Sequence, residues 1–182
     1  MPPKLTLCLA FLVLFFTAGC TPAALDKALK DLNGAKDEYH RWCALNDAAK
    51  ESLNHGRDAD AQAYAQELQQ LAPKYAEDWN YGNAIQDFNL VFGRLALKVG
   101  DKETAKKHLL EAGRSPGSPQ MNSFGPNMSL AKALLEAGEK AVVLEYFELC
   151  KKFWELHRGK LDQWKTDVEA GRVPDFGANL RY

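Results

Sequence analysis

The sequence lacks the short motifs that mark the common enzyme classes. No GxSxG nucleophile turn, no HExxH pair and no Walker loop occurs in its 182 residues. No two cysteines have the CxxC spacing of zinc sites and thioredoxin-like redox sites. These absences predict a protein that is not an enzyme and that uses neither a metal nor a cofactor.

An excess of charge of one sign is also missing. The formal net charge is −1, and no long basic or acidic block interrupts the chain. This balance gives no electrostatic basis for nucleic acid binding. With 46% hydrophobic and 26% charged residues, the chain has the composition of a globular protein that buries a core.

Long hydrophobic runs are absent except at the start, where Lys4 precedes the twelve residues LTLCLAFLVLFF. A membrane-spanning helix needs about 20 apolar residues, so the run is too short to span comfortably. The basic start, the apolar run and the small residues after it predict a secretory signal in residues 1–19. The end of the run, FTAGC at residues 16–20, resembles the bacterial lipobox, with threonine where leucine is usual.

The lipobox resemblance implies cleavage before Cys20 and acylation of Cys20, which would anchor the chain to a membrane. An ordinary signal peptide cut near Ala18 or Gly19 is the alternative. Because Thr21 is not aspartate, the resemblance also implies the outer membrane, facing the periplasm, if the host has two membranes. Residues 20–35 are then predicted to be the lipidated N-terminus and a tether. Their ALDKALKDL stretch is alternatively a short first helix.

The remaining cysteines are Cys43 and Cys150. If the chain is exported to an oxidising compartment, one interpretation is a disulfide between these two cysteines. Their positions at helical apolar spacing favour two buried small hydrophobic residues instead. Among the histidines only His40 has a second metal-ligand type at helical spacing, namely Cys43, and two ligands do not make a metal site.

β-like alternation is nearly absent after the signal, and helical periodicity replaces it. In NAIQDFNLVFGRLALKVGD the apolar residues recur at steps of three and four, which predicts one buried helical face. Gly100 is expected to end this helix, and Asp101 to cap the next one, KETAKKHLLEAG. A helix, a Gly-Asp turn and a second helix predict an αα-hairpin.

Three such hairpins align on turn glycines at Gly56, Gly100 and Gly138, separated by 44 and 38 residues. Small residues recur at matching places around each turn, and this pattern resembles the tetratricopeptide repeat, with the third copy degenerate. The resemblance implies an all-α domain over residues 36–182, in which helical hairpins stack as a short tetratricopeptide-like solenoid with a C-terminal capping helix. It also implies an envelope scaffold that binds a protein or peptide partner. Residues 83–180 are similar to an uncharacterised bacterial family as well, which implies no activity.

The C-terminal part is predicted to hold one long helix, EKAVVLEYFELCKKFWELH, and a shorter final helix, KLDQWKTDVEAG. Adjacent helical residues point about 100° apart. One of Phe153 and Trp154 is therefore expected in a groove or a partner interface. The tail residues Phe176, Leu180 and Tyr182 are expected to pack back as a cap.

The stretch SPGSPQMNSFGPNMS, residues 115–129, interrupts this pattern with three prolines and two glycines. It is predicted to connect the second and third hairpins as a long loop without a helix of its own, with Asn127 or Ser129 capping the next helix. Loops of this length are often functional. One interpretation is a structural plug held by Met121 and Phe124.

The other interpretation is a binding loop, with candidate residues Gln120, Asn122, Ser123 and Asn127. It leads to the alternative function, a solute-binding or ligand-binding lipoprotein, or an enzyme, with a pocket under this stretch. Polar side chains converging there, Asn83 among them, would favour it over the scaffold. Nearby, the carboxylates of 77–78 and 87 beside Trp79 and Tyr81 suggest either an acid pair with aromatic walls or a polar helix start.

Overall fold

The computed structural model describes residues 22–181, and the regular secondary structure of this part is all helical, without a strand. The all-α prediction is confirmed. The predicted signal, Cys20 and Tyr182 lie outside the described residues. No helix in residues 22–181 is long and apolar enough to cross a membrane. The α-helices are α1 (Pro22–Asn33), α2 (Glu38–Asn54), α3 (Asp58–Leu71), α4 (Tyr81–Lys98), α5 (Lys102–Gly113), α6 (Pro119–Phe124), α7 (Ser129–Glu136), α8 (Lys140–Cys150) and α9 (Lys160–Glu169). Short 3₁₀ turns lie at Ala72–Tyr75, Glu155–His157 and Gly177–Leu180.

Three pairs of helices form the hairpins that the turn glycines predicted. The pairs α2–α3, α4–α5 and α7–α8 reverse at Gly56, Gly100 and Gly138, whose φ angles are 74°, 82° and 88°. Glycine suits these turns because an L side chain is strained at positive φ. The Asp101 carboxylate accepts a hydrogen bond from the Thr104 N–H at 3.0 Å, so the predicted cap of α5 is confirmed.

Successive hairpins pack on one another. Helix α4 lies against both α2 and α3, and α5 lies against α7 and α8. A small residue permits the approach of the second hairpin to the third: a Cβ at Gly93 would stand 2.3 Å from the Leu130 side chain. Helix α4 therefore connects the two halves of the domain.

The buried apolar residues form two clusters, one on each side of α4. Ala84, Phe88 and Val91 of α4 belong to the first cluster, with residues of α1, α2 and α3. Leu90 belongs to the second, which the later helices and the tail complete. Because α4 supplies side chains to both clusters, few of its positions face solvent.

The segment predicted as a tether contains helix α1. The alternative interpretation, a short first helix, is therefore the correct one for this segment. Ala28 and Leu32 are buried, and α1 packs on α2. Their spacing of four residues places them on one helical face. The folded domain therefore begins no later than Pro22, the first described residue.

The long C-terminal helix was wrongly predicted, because α8 ends at Cys150. The chain then leaves helical geometry, and Trp154 has φ −101° and ψ 71°. Without a helix to hold their side chains about 100° apart, Phe153 and Trp154 are both buried. The expectation that one of them faces a groove or partner is wrong.

The tail packs back on the helices, as expected. Phe176 is buried, with its ring centroid 4.9 Å from that of Trp164 and 6.2 Å from that of Phe147. Leu180 packs against the same cluster.

Both described cysteines are free thiols, so the optional disulfide is absent. Cys150 is buried in the second cluster, as a small hydrophobic residue was expected to be. Cys43 is only half-buried and packs against the first cluster.

Candidate ligand pocket

The stretch 115–129 contains helix α6, contrary to the prediction of a loop without one. The Ser118 hydroxyl caps this helix by accepting a hydrogen bond from the Met121 N–H at 3.0 Å, and Pro119 follows at the first helical position. Met121 is buried, as the plug interpretation expected. Phe124 is not, since 58% of its surface is exposed.

The start of this stretch lies directly on α4. A Cβ at Gly82 would stand 1.8 Å from the carbonyl oxygen of Gly117, so the two backbones touch only because residue 82 has no side chain. The Ser115 hydroxyl donates to the Gly82 carbonyl at 2.7 Å. The Ser118 hydroxyl donates to Asn83 Oδ1, also at 2.7 Å. These contacts fix α6 above the N-terminal part of α4.

The C-terminal tail holds the other end of the stretch. Asn179 Nδ2 donates to the carbonyl oxygens of Phe124 and Pro126, at 3.0 Å each. The Met128 N–H donates to the Asn179 carbonyl at 2.7 Å. Asn179 is 1% exposed, so these bonds are shielded from water and hold α6 in a defined position.

A cavity of about 480 Å³ lies between α2, α4 and α6, and we call it the α2–α4–α6 pocket. Its size is within the range of about 300–1,000 Å³ that is usual for small-molecule sites. On α2 the lining residues recur at steps of three and four, so they share one helical face. Polar side chains from all three walls converge on the cavity, which is lined by Cys43, Asn46, Asp47, Lys50, Trp79, Asn80, Asn83, Gln86, Asp87, Gln120, Met121, Phe124 and Gly125.

An ion pair lies within the pocket wall. Lys50 Nζ is 3.1 Å from Asp87 Oδ2 and 3.5 Å from Asp47 Oδ1. Burial by itself lowers the pKa of Lys50, but the two carboxylates outweigh burial and raise it. Burial raises the pKa of Asp87 to about 6, against the effect of the Lys50 ammonium. Near neutral pH the pair is therefore charged, and Asp87 takes up a proton at mildly acidic pH.

Amide side chains connect the pocket walls to each other. Asn83 Nδ2 donates to Asn80 Oδ1 at 2.9 Å and to Gln120 Oε1 at 2.8 Å, which ties α4 to α6. The amide nitrogens of Asn80 and Gln120 donate to no group among the described residues. Each of the two amides therefore keeps donor capacity for a bound molecule.

A closed set of hydrogen bonds lies beneath the pocket. Gln86 accepts from the Asn127 N–H at 3.1 Å and donates to the Tyr146 hydroxyl at 3.3 Å, and that hydroxyl donates to the Asn127 carbonyl at 3.1 Å. Burial raises the pKa of Tyr146 well above its usual value, so the phenol stays protonated. This set joins α4, α8 and the stretch 115–129 in one rigid floor.

Two aromatic side chains stand at the pocket mouth. Trp79 precedes α4, and Phe124 ends α6, and they are 52% and 58% exposed. The other tryptophans of the chain are at most 5% exposed. Trp79 is thus the tryptophan whose surroundings change most when the pocket is filled.

Of the predicted binding residues, only Gln120 lines the pocket. Asn122 accepts a hydrogen bond from the Glu155 N–H at 3.0 Å, and the Ser123 hydroxyl donates to the Pro119 carbonyl at 2.9 Å. Asn127 Oδ1 accepts from the Ser129 N–H at 2.8 Å, but the N-cap of α7 is Met128 and no side chain caps this helix, so the expected cap by residue 127 or 129 is wrong. These three residues hold the stretch in place and lie apart from the cavity.

The suggested acid pair does not assemble. Asp78 accepts hydrogen bonds from the Tyr39 hydroxyl at 3.0 Å and from the Asn80 N–H at 2.8 Å, and it does not line the pocket. Only Asp87 of the candidate carboxylates reaches the cavity, beside Trp79. Within residues 22–181, no three histidine, cysteine or carboxylate side chains are grouped to hold a metal.

Sequence reasoning missed the contribution of α2, including Asp47 and Lys50. One signal was available on the other wall: Gln86, Asp87 and Asn89 interrupt an apolar helix, and all three are buried. Buried polar residues in the middle of a helix need partners. Such a triplet therefore indicates a second polar surface, although it does not say which helix supplies it.

The chain was compared with protein-family models, with curated proteins and with solved structures, and none of them matches. The arrangement itself is a preformed cavity with a paired charge, free amide donors and two exposed aromatic side chains. Chemically it is suited to hold a small polar molecule through hydrogen bonds and ring contacts.

Proposed function

We propose that this protein binds a small polar ligand in the α2–α4–α6 pocket and is not an enzyme. One observation supports the proposal most: polar side chains from three separate segments converge on one cavity beneath residues 115–129. Polar convergence at this place favours a ligand-binding protein over a plain helical scaffold.

The buried ion pair adds to this argument. The Asp87 side chain is 6% exposed and that of Lys50 is 20% exposed. Removing such charges from water costs several kcal/mol per ion, and an apolar pair of similar volume is often as stable. A pair placed in a cavity wall is therefore better explained by binding than by stability, because perturbed ionisable groups concentrate at functional sites.

The proposal includes the envelope location that the lipobox resemblance implies. The signal would be removed, Cys20 would carry the acyl chains, and the body would lie at a membrane surface, the outer membrane of a Gram-negative host. Helix α1 starts at Pro22, two positions after Cys20 in the sequence, so the folded domain would lie close to the membrane surface. The pocket would then receive ligands that reach the envelope.

Replacing Cys20 by alanine tests this location. The variant is expected to leave the membrane fraction and to take up no radiolabelled palmitate, whereas the wild type is labelled. A variant that stays in the membrane, together with an unlabelled wild type, would refute the lipid anchor.

A protein or peptide scaffold is the second candidate function. Its support is the ordered packing of the three hairpins on their neighbours, the arrangement that a tetratricopeptide-like solenoid with a C-terminal cap requires. Crosslinking in the native envelope, followed by identification of the crosslinked chains, tests this candidate. A specific protein partner that is retained when the pocket is blocked would favour the scaffold.

Blocking the pocket tests ligand binding directly. The Asp47 side chain is 68% exposed and lines the pocket, so Asp47→Trp fills the cavity without a clash in the core. Gln66→Trp places the same side chain on an exposed face of α3, away from the pocket, as the matched control. Native mass spectrometry of protein purified from its host is expected to show a small molecule on the wild type and on Gln66→Trp but not on Asp47→Trp. Equal occupancy of the three proteins, or no bound molecule on any of them, would contradict the proposal.

A further inference from the structure

One cationic and two anionic side chains line the α2–α4–α6 pocket, so its formal net charge is −1. Lys50 is the one cationic side chain among the residues that line it, and each of Asp47 and Asp87 lies within 3.5 Å of its ammonium. A ligand anion would meet two carboxylates beside the one ammonium, and a ligand cation would compete with Lys50 for those carboxylates. This arrangement disfavours anionic ligands, and a ligand without charge avoids both the repulsion and the competition.

The open hydrogen-bonding groups are of both kinds. The amide nitrogens of Asn80 and Gln120 are donors without a partner in residues 22–181. The carboxylates of Asp47 and Asp87 accept several hydrogen bonds each, and Lys50 does not use that capacity in full. A hydroxyl group both donates and accepts, so a ligand with several hydroxyls matches such a mixture.

The aromatic side chains at the mouth supply the apolar part of the site. Trp79 and Phe124 expose about half of their surface where the cavity opens to solvent. Sugar rings have C–H faces that pack on aromatic rings, while their hydroxyls point outward to polar groups. A neutral, charge-free molecule with apolar faces and a polar edge therefore fits the walls and the mouth together.

We propose that the ligand of the α2–α4–α6 pocket is a neutral carbohydrate. Its ring packs on Trp79, and the amide nitrogens of Asn80 and Gln120 donate to its hydroxyls. The inference rests on the proposed ligand-binding function and adds the chemical class of the ligand.

Titrations with defined probes test the class. The full-length protein is kept in a polyoxyethylene detergent, which carries no sugar, and is titrated with maltose, cellobiose and N,N′-diacetylchitobiose. Lysine and glutamate are the charged probes of similar reach. Calorimetry measures affinity, and acrylamide quenching of tryptophan fluorescence measures access to Trp79, because the other tryptophans are buried. At least one sugar is expected to bind and to protect Trp79 from quenching.

Variants separate ring packing from a structural role of the tryptophan. Trp79→Ala is expected to weaken sugar binding about tenfold, and Trp79→Phe, which keeps an aromatic face, to restore most of the affinity. Gln120→Ala is expected to weaken binding by a similar factor. Val99→Ala removes an exposed apolar side chain far from the cavity and is expected to bind as the wild type does.

The outcomes distinguish the ligand class from the function itself. Binding of lysine or glutamate, but of no sugar, in a manner that Asp47→Trp abolishes would overturn the carbohydrate class and leave the binding function in place. Sugar binding that is equal in Trp79→Ala and wild type would overturn the proposed site. Absence of binding for every probe would overturn the carbohydrate class. Native mass spectrometry of protein purified from the envelope then tests the ligand-binding function separately, by whether a molecule is bound.

Discussion

The contact of Gly82 with Gly117 positions the wall of the pocket, and replacing Gly82 by alanine tests it. In an ordinary helix this change adds about 1 kcal/mol of stability. Here the new Cβ would stand 1.8 Å from the Gly117 carbonyl oxygen, whereas carbon–oxygen contacts are favourable at about 3.3–3.6 Å. The stretch 115–118 must therefore move by about 1.5 Å, because the obstacle is backbone and has no alternative rotamer.

That movement has a calculable cost. It separates the Ser115 hydroxyl from the Gly82 carbonyl and the Ser118 hydroxyl from Asn83, two bonds of 2.7 Å. Each such bond contributes about 1 kcal/mol, and overpacking adds about 1–3 kcal/mol. After the helix-propensity gain, the expected net loss is about 3 kcal/mol, which lowers Tm by about 6–12 °C in a chain of this length.

Urea unfolding followed by circular dichroism measures the loss of unfolding free energy. Native mass spectrometry measures the fraction of the protein that carries a bound molecule in the pocket. Gly56→Ala is the control, because a Cβ there meets no atom within 4 Å and only the positive φ of 74° is strained. It is expected to cost about 1 kcal/mol and to leave the pocket occupied. A Gly82→Ala protein as stable as the wild type, or more stable, would refute the described docking of the stretch on α4.

The remaining predictions concern the ion pair, the tail and the thiols. The native pKa of Asp87, about 6, exceeds its unfolded value of about 3.9, so the native state binds more protons between them. Relative to Asp87→Asn, the wild type should therefore gain unfolding free energy as the pH falls from 7 to 5, and a constant difference in urea titrations would contradict this. Asn179→Ala should lower the unfolding free energy by about 2 kcal/mol and speed amide hydrogen exchange in residues 119–128, because two carbonyl groups lose their hydrogen bonds. Unchanged exchange there would show that Asn179 does not hold this segment in place. In the native protein a maleimide should label Cys43, while Cys150, buried and with its pKa raised by burial, should react only after unfolding; mass spectrometry showing equal labelling would contradict their placement.

Local patterns predicted most of the helices and their turns. The apolar steps of three and four before Gly100 identified α4, and the aspartate after that glycine identified the cap of α5. These features involve neighbours within about four residues, so the sequence contains their whole cause. The same holds for the three glycine turns, whose positive φ is a property of a single residue.

Helix α6 and the end of α8 were not predicted, because distant contacts contribute to both. After helix α8 ends, Trp154 packs into the core. Gly125 follows α6 and lies against the same ring, since a Cβ at Gly125 would stand 2.4 Å from Trp154. The apolar periodicity of the sequence continues past residue 150 and gives no indication of this contact. Tertiary packing therefore overrode the local helical preference.

The sequence alone determined an all-α protein with three hairpins, and it marked residues 115–129 as unlike their surroundings. Only the tertiary structure decided that a cavity lies beneath that stretch and which side chains face it. The bonds that build the cavity join residues far apart in the chain: Asn83 meets Gln120 across 37 positions, and Gln86 meets Tyr146 across 60. Helical periodicity specifies which residues share a face, but the pairing of faces depends on packing between helices, and that packing brings Lys50 of α2 to Asp87 of α4.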